Sequence, residues 1–444
     1  MSALLRLRCL APAYLRTVAR REWQLALLAI VGLAPGVGAL LAWLNLAVAV
    51  HDPVGTGPLA GWLLPHWLFQ WLGAAGVLTG AGLVTLLIGC LGLINAYLVS
   101  IERRAPELAL LRSLGLRQHE LWLLLACEAV AAGLLGSSVG LGIGVGLSWL
   151  TWAPAAAYFH SLAGYTLSPL AVVTALLTGL GATLLFTHTA VHLAKLNANN
   201  HLHTRPATAY ATAHNERSSL TGALYAGLLT WAVSFAILPP LAALVLGGLA
   251  ELFALLLTTG SWLLIRFYQR LPRSAAWPLW SLALQGLARH PNQTAALTLA
   301  LTTGAYAVGM ASLSWLATSG QVRFPFWVAG FVLGAGATLV FTVAALAAWE
   351  RRTTFGMLQA LGAHRHHCWQ LIWLEYGIVA FGGGTLGAGM ALLHWLVAGQ
   401  QGSGWAALGL ILADLLGALL SAWIGTTPVL WLIARRSVGA AVRG

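Results

Sequence analysis

The sequence predicts an all-α polytopic membrane protein, and three observations carry the prediction. Of 444 residues, 59% are hydrophobic and 8% charged, where a soluble domain carries roughly a quarter charged residues. Apolar stretches run past the ~20 residues that cross a bilayer, and the mean hydropathy is +0.81. The basic residues fall between those stretches in a strict alternation. Together these exclude a cytosolic enzyme, a disordered chain and a nucleic-acid binder that owes its net charge of +12 to a basic patch. An outer-membrane barrel would alternate apolar and polar residues, and these runs do not.

Ten stretches read as spans, at about 24–50, 76–100, 119–150, 167–194, 220–238, 241–265, 295–318, 326–349, 368–397 and 405–434. Pro239 and Pro240 mark the turn between the fifth and sixth, because proline cannot continue a helix. The first 23 residues hold Arg6, Arg8, Arg16, Arg20 and Arg21 and no small-residue cleavage site, so the first span reads as uncleaved. Every lysine and arginine except Arg323 then falls in the N-terminal segment, the even-numbered loops or the tail. By the positive-inside rule both ends are expected in the cytoplasm. The outer loop 51–75 carries Trp62, Trp67 and Trp71 at helical spacing, an aromatic anchor for the membrane interface. Cys9, Cys90, Cys127 and Cys368 show no pair spacing and read as small apolar residues.

The sequence also repeats. Glu102, Arg103 and Arg104 follow the second span directly, as Glu350, Arg351 and Arg352 follow the eighth. Further on, Leu111 to Gly115 aligns with Leu358 to Gly362, Trp122 with Trp369, Glu128 with Glu375, Gly136 with Gly383, Gly140 with Gly387 and Gly142 with Gly389. The first copy carries one inserted residue, at Ala105–Pro106. Both copies share an orientation, so they are expected to relate by an axis along the membrane normal. Segments before each first span, Arg16 to Arg21 and 283–291, read as amphipathic helices on the inner surface. The expected division is 1–219, a first repeat; 220–274, a connecting helix pair; and 275–444, a second repeat.

Within the first copy, Pro106 suits the first turn of a new helix and Glu107 its positive end. Leu108, Leu111 and Leu114, with Leu110, give that helix an apolar face, and Gly115 is a natural stop. Gly362 stops the second copy in the same way. Such a helix either lies on headgroups or docks onto a partner. Its duplication at equivalent places favours docking onto a two-fold partner.

The segments 102–115 and 350–362, followed by Glu128 to Gly144 and Glu375 to Gly389, resemble the signature of FtsX-like permeases, the membrane subunits of MacB-type ABC transporters. The likeness spans roughly 80–195 and 280–434 and is similar to the fused, two-repeat branch without a large extracytoplasmic domain. The resemblance implies a plasma (bacterial inner) membrane permease and a cytoplasmic ABC ATPase dimer as partner. It further implies that Glu102, Arg103, Arg104, Glu107, Arg112 and Gly115, with Glu350, Arg351, Arg352, Gly356 and Gly362, couple the chain to that ATPase. This sequence departs from the pattern at Thr354, where a glutamate is usual, and at Gln359, where a basic residue is usual.

No P-loop is present. The single lysine, Lys195, has no glycine-rich turn beside it. The chain is therefore expected to be non-catalytic and to bind no cofactor, with ATP and Mg used by the partner. Glu128 and Glu375 are intramembrane polar candidates; Glu251 and Asp414 are others, without repeat partners. For all four a structural hydrogen bond outranks proton transfer. The series Gly133, Gly136, Gly140, Gly142, Gly144 and Gly146 reads as a close-packing surface for another helix. His364, His366 and His367, beside Cys368, match no metal-ligand spacing, and no metal site is expected.

The expected function is transmission of ATP-driven motion to export or extract a lipid-like or amphiphilic substrate that arrives from the membrane lipids. One alternative is a mechanotransmission regulator of an extracytoplasmic partner held at 51–75. The other is an ion-driven secondary transporter that works through Glu128 and Glu375.

Overall fold

The computed structural model describes residues 23–50, 66–113, 116, 118–159, 162, 164–200, 227–248, 251, 263, 266–267, 270, 278–289, 291–317, 324–350, 364–397 and 404–435. In chain order, α1 (Trp23–Ala49), α2 (His66–Ser113), α3 (Gln118–Tyr158) and α4 (Pro169–Asn200) make a first set. Then come α5 (Gly227–Ile237) and α6 (240–248). The amphipathic α7 (Pro278–Arg289) leads into a second set, α8 (Pro291–Ala317), α9 (Phe324–Glu350), α10 (Arg365–Val397) and α11 (Gly404–Arg435). No strand occurs among the described residues.

Eight helices, α1–α4 and α8–α11, are long and apolar enough to cross a membrane. The chain is thus a polytopic helical membrane protein. The expected fifth and sixth spans fall on α5 and α6. The first of these is apolar but short, and 252–262 lies outside the described residues. The proline turn is where the sequence puts it. α5 ends at Ile237, the helix restarts at 240, and the Pro239 carbonyl accepts from the Ala243 N–H at 2.9 Å.

The two sets pack alike. α1 touches α2, α3 and α4, and α4 also touches α2 and α3; α8, α9, α10 and α11 reproduce all five pairings. α1 and α8 are the central helices of their sets, each with most of its apolar stretch buried. α3, α4 and α11 turn large apolar side chains outward, among them Leu135, Leu177, Leu416 and Trp423, as lipid-facing helices do. The sets meet where α2 packs against α9. There Ile88 joins Leu339, Val340 and Val343 in one core.

The α5–α6 hairpin packs on the first set. Leu229, Val233, Leu238 and Leu246 join the core built from α1–α4. Inside the spans, threonines return their hydroxyls to their own helix. Thr79, Thr178, Thr298, Thr302 and Thr426 each donate to the carbonyl four residues back at 2.5–2.8 Å. In lipid a hydroxyl has no water to turn to, so the local carbonyl serves instead.

The glycine series does form a helix seam, but only on one face. A Cβ on Gly140 would lie 2.8 Å from the Ala34 carbonyl oxygen and from Val37 Cβ. One on Gly144 would lie 2.8 Å from the Gly38 carbonyl oxygen. Glycine there lets α3 lie against the α1 backbone. Gly142 and Gly146 have no neighbour within 4 Å and face outward, so they leave the seam.

Candidate functional site: the segment that continues α2

The sequence expects a new short helix at Pro106. The structure instead runs α2 unbroken from His66 to Ser113, 48 residues, or roughly 70 Å at 1.5 Å per residue. Its apolar stretch is Ala74–Ile101. Residues 102–113 therefore extend the same rod about 18 Å beyond the span. Tertiary contacts hold the extension helical where local propensity would break it. Arg104 and Leu108 on its inner face pack against the bundle. The rod ends at the Leu116 N–H, which donates to the Leu111 carbonyl at 3.2 Å. That six-to-one bond favours glycine just before its donor; Gly115 occupies that position in sequence and lies outside the described residues.

The extension has two faces, each at helical spacing. Arg103, Glu107 and Leu110 point outward, with Leu110 62% exposed. Arg104, Leu108 and Leu111 point toward the bundle. Leu108 and Leu111 do not join an exposed apolar face; among the described residues that face keeps Leu110, and Leu114 lies outside them. Arg104, grouped with the coupling residues, is 3% exposed.

Arg104 instead makes a two-pronged pair with Glu128 on α3. Nη1 lies 2.7 Å from Oε2 and Nη2 lies 3.1 Å from Oε1. A planar guanidinium facing a carboxylate in this way is the strongest of the charge-assisted hydrogen bonds. It fastens the root of the extension to α3. Beside it a cleft of about 120 Å³ runs between α1, α2 and α3, walled by Leu25, Ala29, Tyr97 and Leu135, with the ion pair at one end. Leu135 is exposed on the lipid-facing side.

Glu375, the sequence counterpart of Glu128, lies on α10 and is 5% exposed. The second motif is only touched at its edges. Glu350 closes α9, while Arg351, Arg352, Gly356 and Gly362 lie outside the described residues. The side chains of Glu102 and Arg112 lie outside them too, as do the Arg16–Arg21 segment and 51–65. His364, His366 and His367 are exposed at the start of α10, the first and last with stacked rings. Among the described residues no three His, Cys, Asp or Glu side chains converge on a metal position. Glu251 accepts from Trp231 Nε1 at 3.1 Å, which ties α5 to the chain beyond α6.

Sequence reasoning missed a polar lock at the other end of the bundle. Buried Asn45 on α1 donates to Ser148 Oγ at 2.8 Å and to the Thr166 carbonyl at 3.1 Å, and accepts from the Ser168 N–H at 2.8 Å. An asparagine inside an otherwise apolar span was the available signal.

Residues 79–195, from α2 to α4, match the family model described as FtsX-like permease C-terminal. This stretch is similar to that permease domain. The chain is 37% identical over 73 residues to an uncharacterized ABC transporter permease protein of Mycobacterium tuberculosis, covering 16% of this chain and 8% of the relative. It is 30% identical over 74 residues to a macrolide export ATP-binding/permease protein, MacB, of Bdellovibrio bacteriovorus, covering 17% and 11%. It is 36% identical over 63 residues to an uncharacterized ABC transporter permease of Bacillus subtilis, covering 14% and 16%. The aligned stretches thus span less than a fifth of each relative's length. No solved structure matches the chain. With eight apolar helices and bacterial permease relatives, the chain is a multi-pass protein of the bacterial plasma membrane.

Proposed function

We propose that this chain is the permease subunit of an ABC transporter, driven by a separate cytoplasmic ATPase dimer that seats on 102–115 and 350–362. The two-faced extension of α2 carries the reading. Its inner face is clamped by Arg104–Glu128, while its outer face presents Arg103, Glu107 and Leu110. A push on that outer face moves a continuous helix, because no hinge separates the extension from the span. α2 packs on α1 and on α9, so the displacement reaches both sets of helices. ATP and Mg belong to the partner.

A lipid-like or amphiphilic substrate that enters from the membrane is the class proposed. The cleft between α1, α2 and α3 supports it: its walls are apolar, Arg104 and Glu128 line it, and its volume of about 120 Å³ would take the end of such a molecule.

The test is ATPase stimulation by the full chain in lipid discs, with the P-loop ABC ATPases of the same organism each supplied as partner. Leu110→Asp and Glu107→Lys are expected to weaken association by roughly tenfold or more each, as loss of a central interface residue does. A substitution on the outward glycine face, Gly142→Ala, leaves it unchanged. Wild-type association by both motif variants would overturn the reading. Stimulation lost without loss of transport would point to the ion-driven alternative.

A further inference from the structure

The register shared by the two helix sets isolates one position where they differ in kind. Leu33 lies against Gly136, and Ala34 and Val37 against Gly140, as Leu301 lies against Gly383, and Thr302 and Ala305 against Gly387. One turn further along, the first set places Leu41 on Gly144. In the second set the corresponding residues are Gly309 and Ala391, whose Cβ would lie 2.6 Å from a Cβ on that glycine.

α4 and α11 correspond in the same way. Gly179 meets Ser137 of α3 where Ala418 meets Gly384 of α10, so Ala175, Gly179 and Thr183, buried at four-residue intervals in α4, correspond to Asp414, Ala418 and Ala422, buried in α11. So where the first set has leucine and alanine, the second has glycine and aspartate. The volume that α8 gives up at Gly309 is taken by the Asp414 carboxyl, whose oxygens would lie 2.6 and 2.9 Å from a Cβ placed there. Asp414 is 0% exposed, and among the described residues neither oxygen has a hydrogen-bond partner.

We infer that Asp414 is a proton-binding site, holding its proton while α11 is seated on α8 and α10 and releasing it when α11 moves away. A buried carboxylate anion without a donor is among the costliest groups an apolar interior can hold, and a neutral carboxyl is not. The glycine opposite makes room for the group and offers it no charge. Other titratable groups on the helices around it are few. α8 contributes Tyr306, and α10 contributes His394, whose Nδ1 lies 3.4 Å from the Tyr306 hydroxyl. Glu375, Tyr376 and the Arg365 end of α10 lie toward the opposite end of that helix, α9 has no titratable residue before Glu350, and α11 has no other before Arg435. The seated arrangement accommodates the neutral carboxyl, and a separated one that admits water accommodates the anion. This inference concerns the chain alone and does not need the ATPase.

The sequence offers a clean probe, because Asp52 and Asp414 are its two aspartates. The full chain is labelled with carboxyl-¹³C aspartate, placed in lipid discs and titrated by infrared spectroscopy. A protonated-carboxyl band that shifts with the isotope, survives Asp52→Asn and bleaches as pH rises is the expected result. Spin labels at the remote ends of α10 and α11 should separate over the same pH change. Asp414→Asn should abolish both signals. Aspartate that is ionised throughout, or separation that persists in Asp414→Asn, would overturn the inference. The isotope measurement on the unaltered Asp414 stands even if that variant fails to fold.

Discussion

The two helix sets share five pairings and one glycine seam, yet they end differently on the side away from the α2 extension. In the first, Asn45 ties α1 to Ser148 on α3 and to the backbone at Thr166 and Ser168 ahead of α4. Beside this lock an aromatic cluster joins the two sets, with Trp43 of α1 edge-on to Phe324 and Phe331 of α9 and Phe324 stacked on Tyr158 of α3. In the second, the comparable depth holds Asp414, which has no hydrogen-bond partner among the described residues. The first set spends its buried polar group on holding three segments together. The second keeps one in reserve. Two helix sets with the same pairings thus place their buried polar groups in different surroundings.

The contrast can be broken most forcefully at the other end of the bundle. Glu128→Ala leaves Arg104 buried without its carboxylate, an expected loss of about 3–5 kcal/mol, read as a drop in thermal midpoint in lipid discs. Replacing both partners with leucine and methionine should recover much of it. Glu375→Ala in the second set sharpens the comparison, since an equal loss would mean that both sets use the same clamp. Next in size, Gly140→Val and Gly387→Val should each cost about 1–3 kcal/mol by forcing the central helix away. Unequal losses would show that the shared seam bears different loads. Asn45→Leu leaves the Ser168 N–H and the Thr166 carbonyl without their partner, a cost of about 1–3 kcal/mol. Hydrogen exchange should rise at the start of α4 and stay level in α11. Smallest of all, Gly142→Ala should stabilise α3 by about 0.5–1 kcal/mol, because no atom lies within 4 Å of the new methyl group. A destabilisation there would place a neighbour on the outward face.

Much of the fold was legible in the residues. Apolar length marks eight of the ten expected spans as membrane-crossing helices, because each span must satisfy its own backbone in lipid. The Pro239–Pro240 turn was legible because proline acts locally. Gly136, Gly140 and Gly144 were legible as a seam, although Gly142 and Gly146 belong to the opposite face. The coupling segment was only half legible. Its two faces each carry an arginine and a leucine, so the pattern of 103, 107 and 110 against 104, 108 and 111 does not by itself say which turns inward. Only the position of Glu128, 24 residues along the chain on another helix, decides that.

What the sequence alone determined is therefore the class of molecule, its helices, and the presence of two related sets, all consequences of local composition and period. What tertiary structure decided is where the charges go. Arg104 pairs with Glu128, helix α2 runs on through position 106, and Asp414 rests against Gly309 with no donor among the described residues. Each depends on the field and the space made by a neighbouring helix, and neither is written in the residue's own surroundings along the chain.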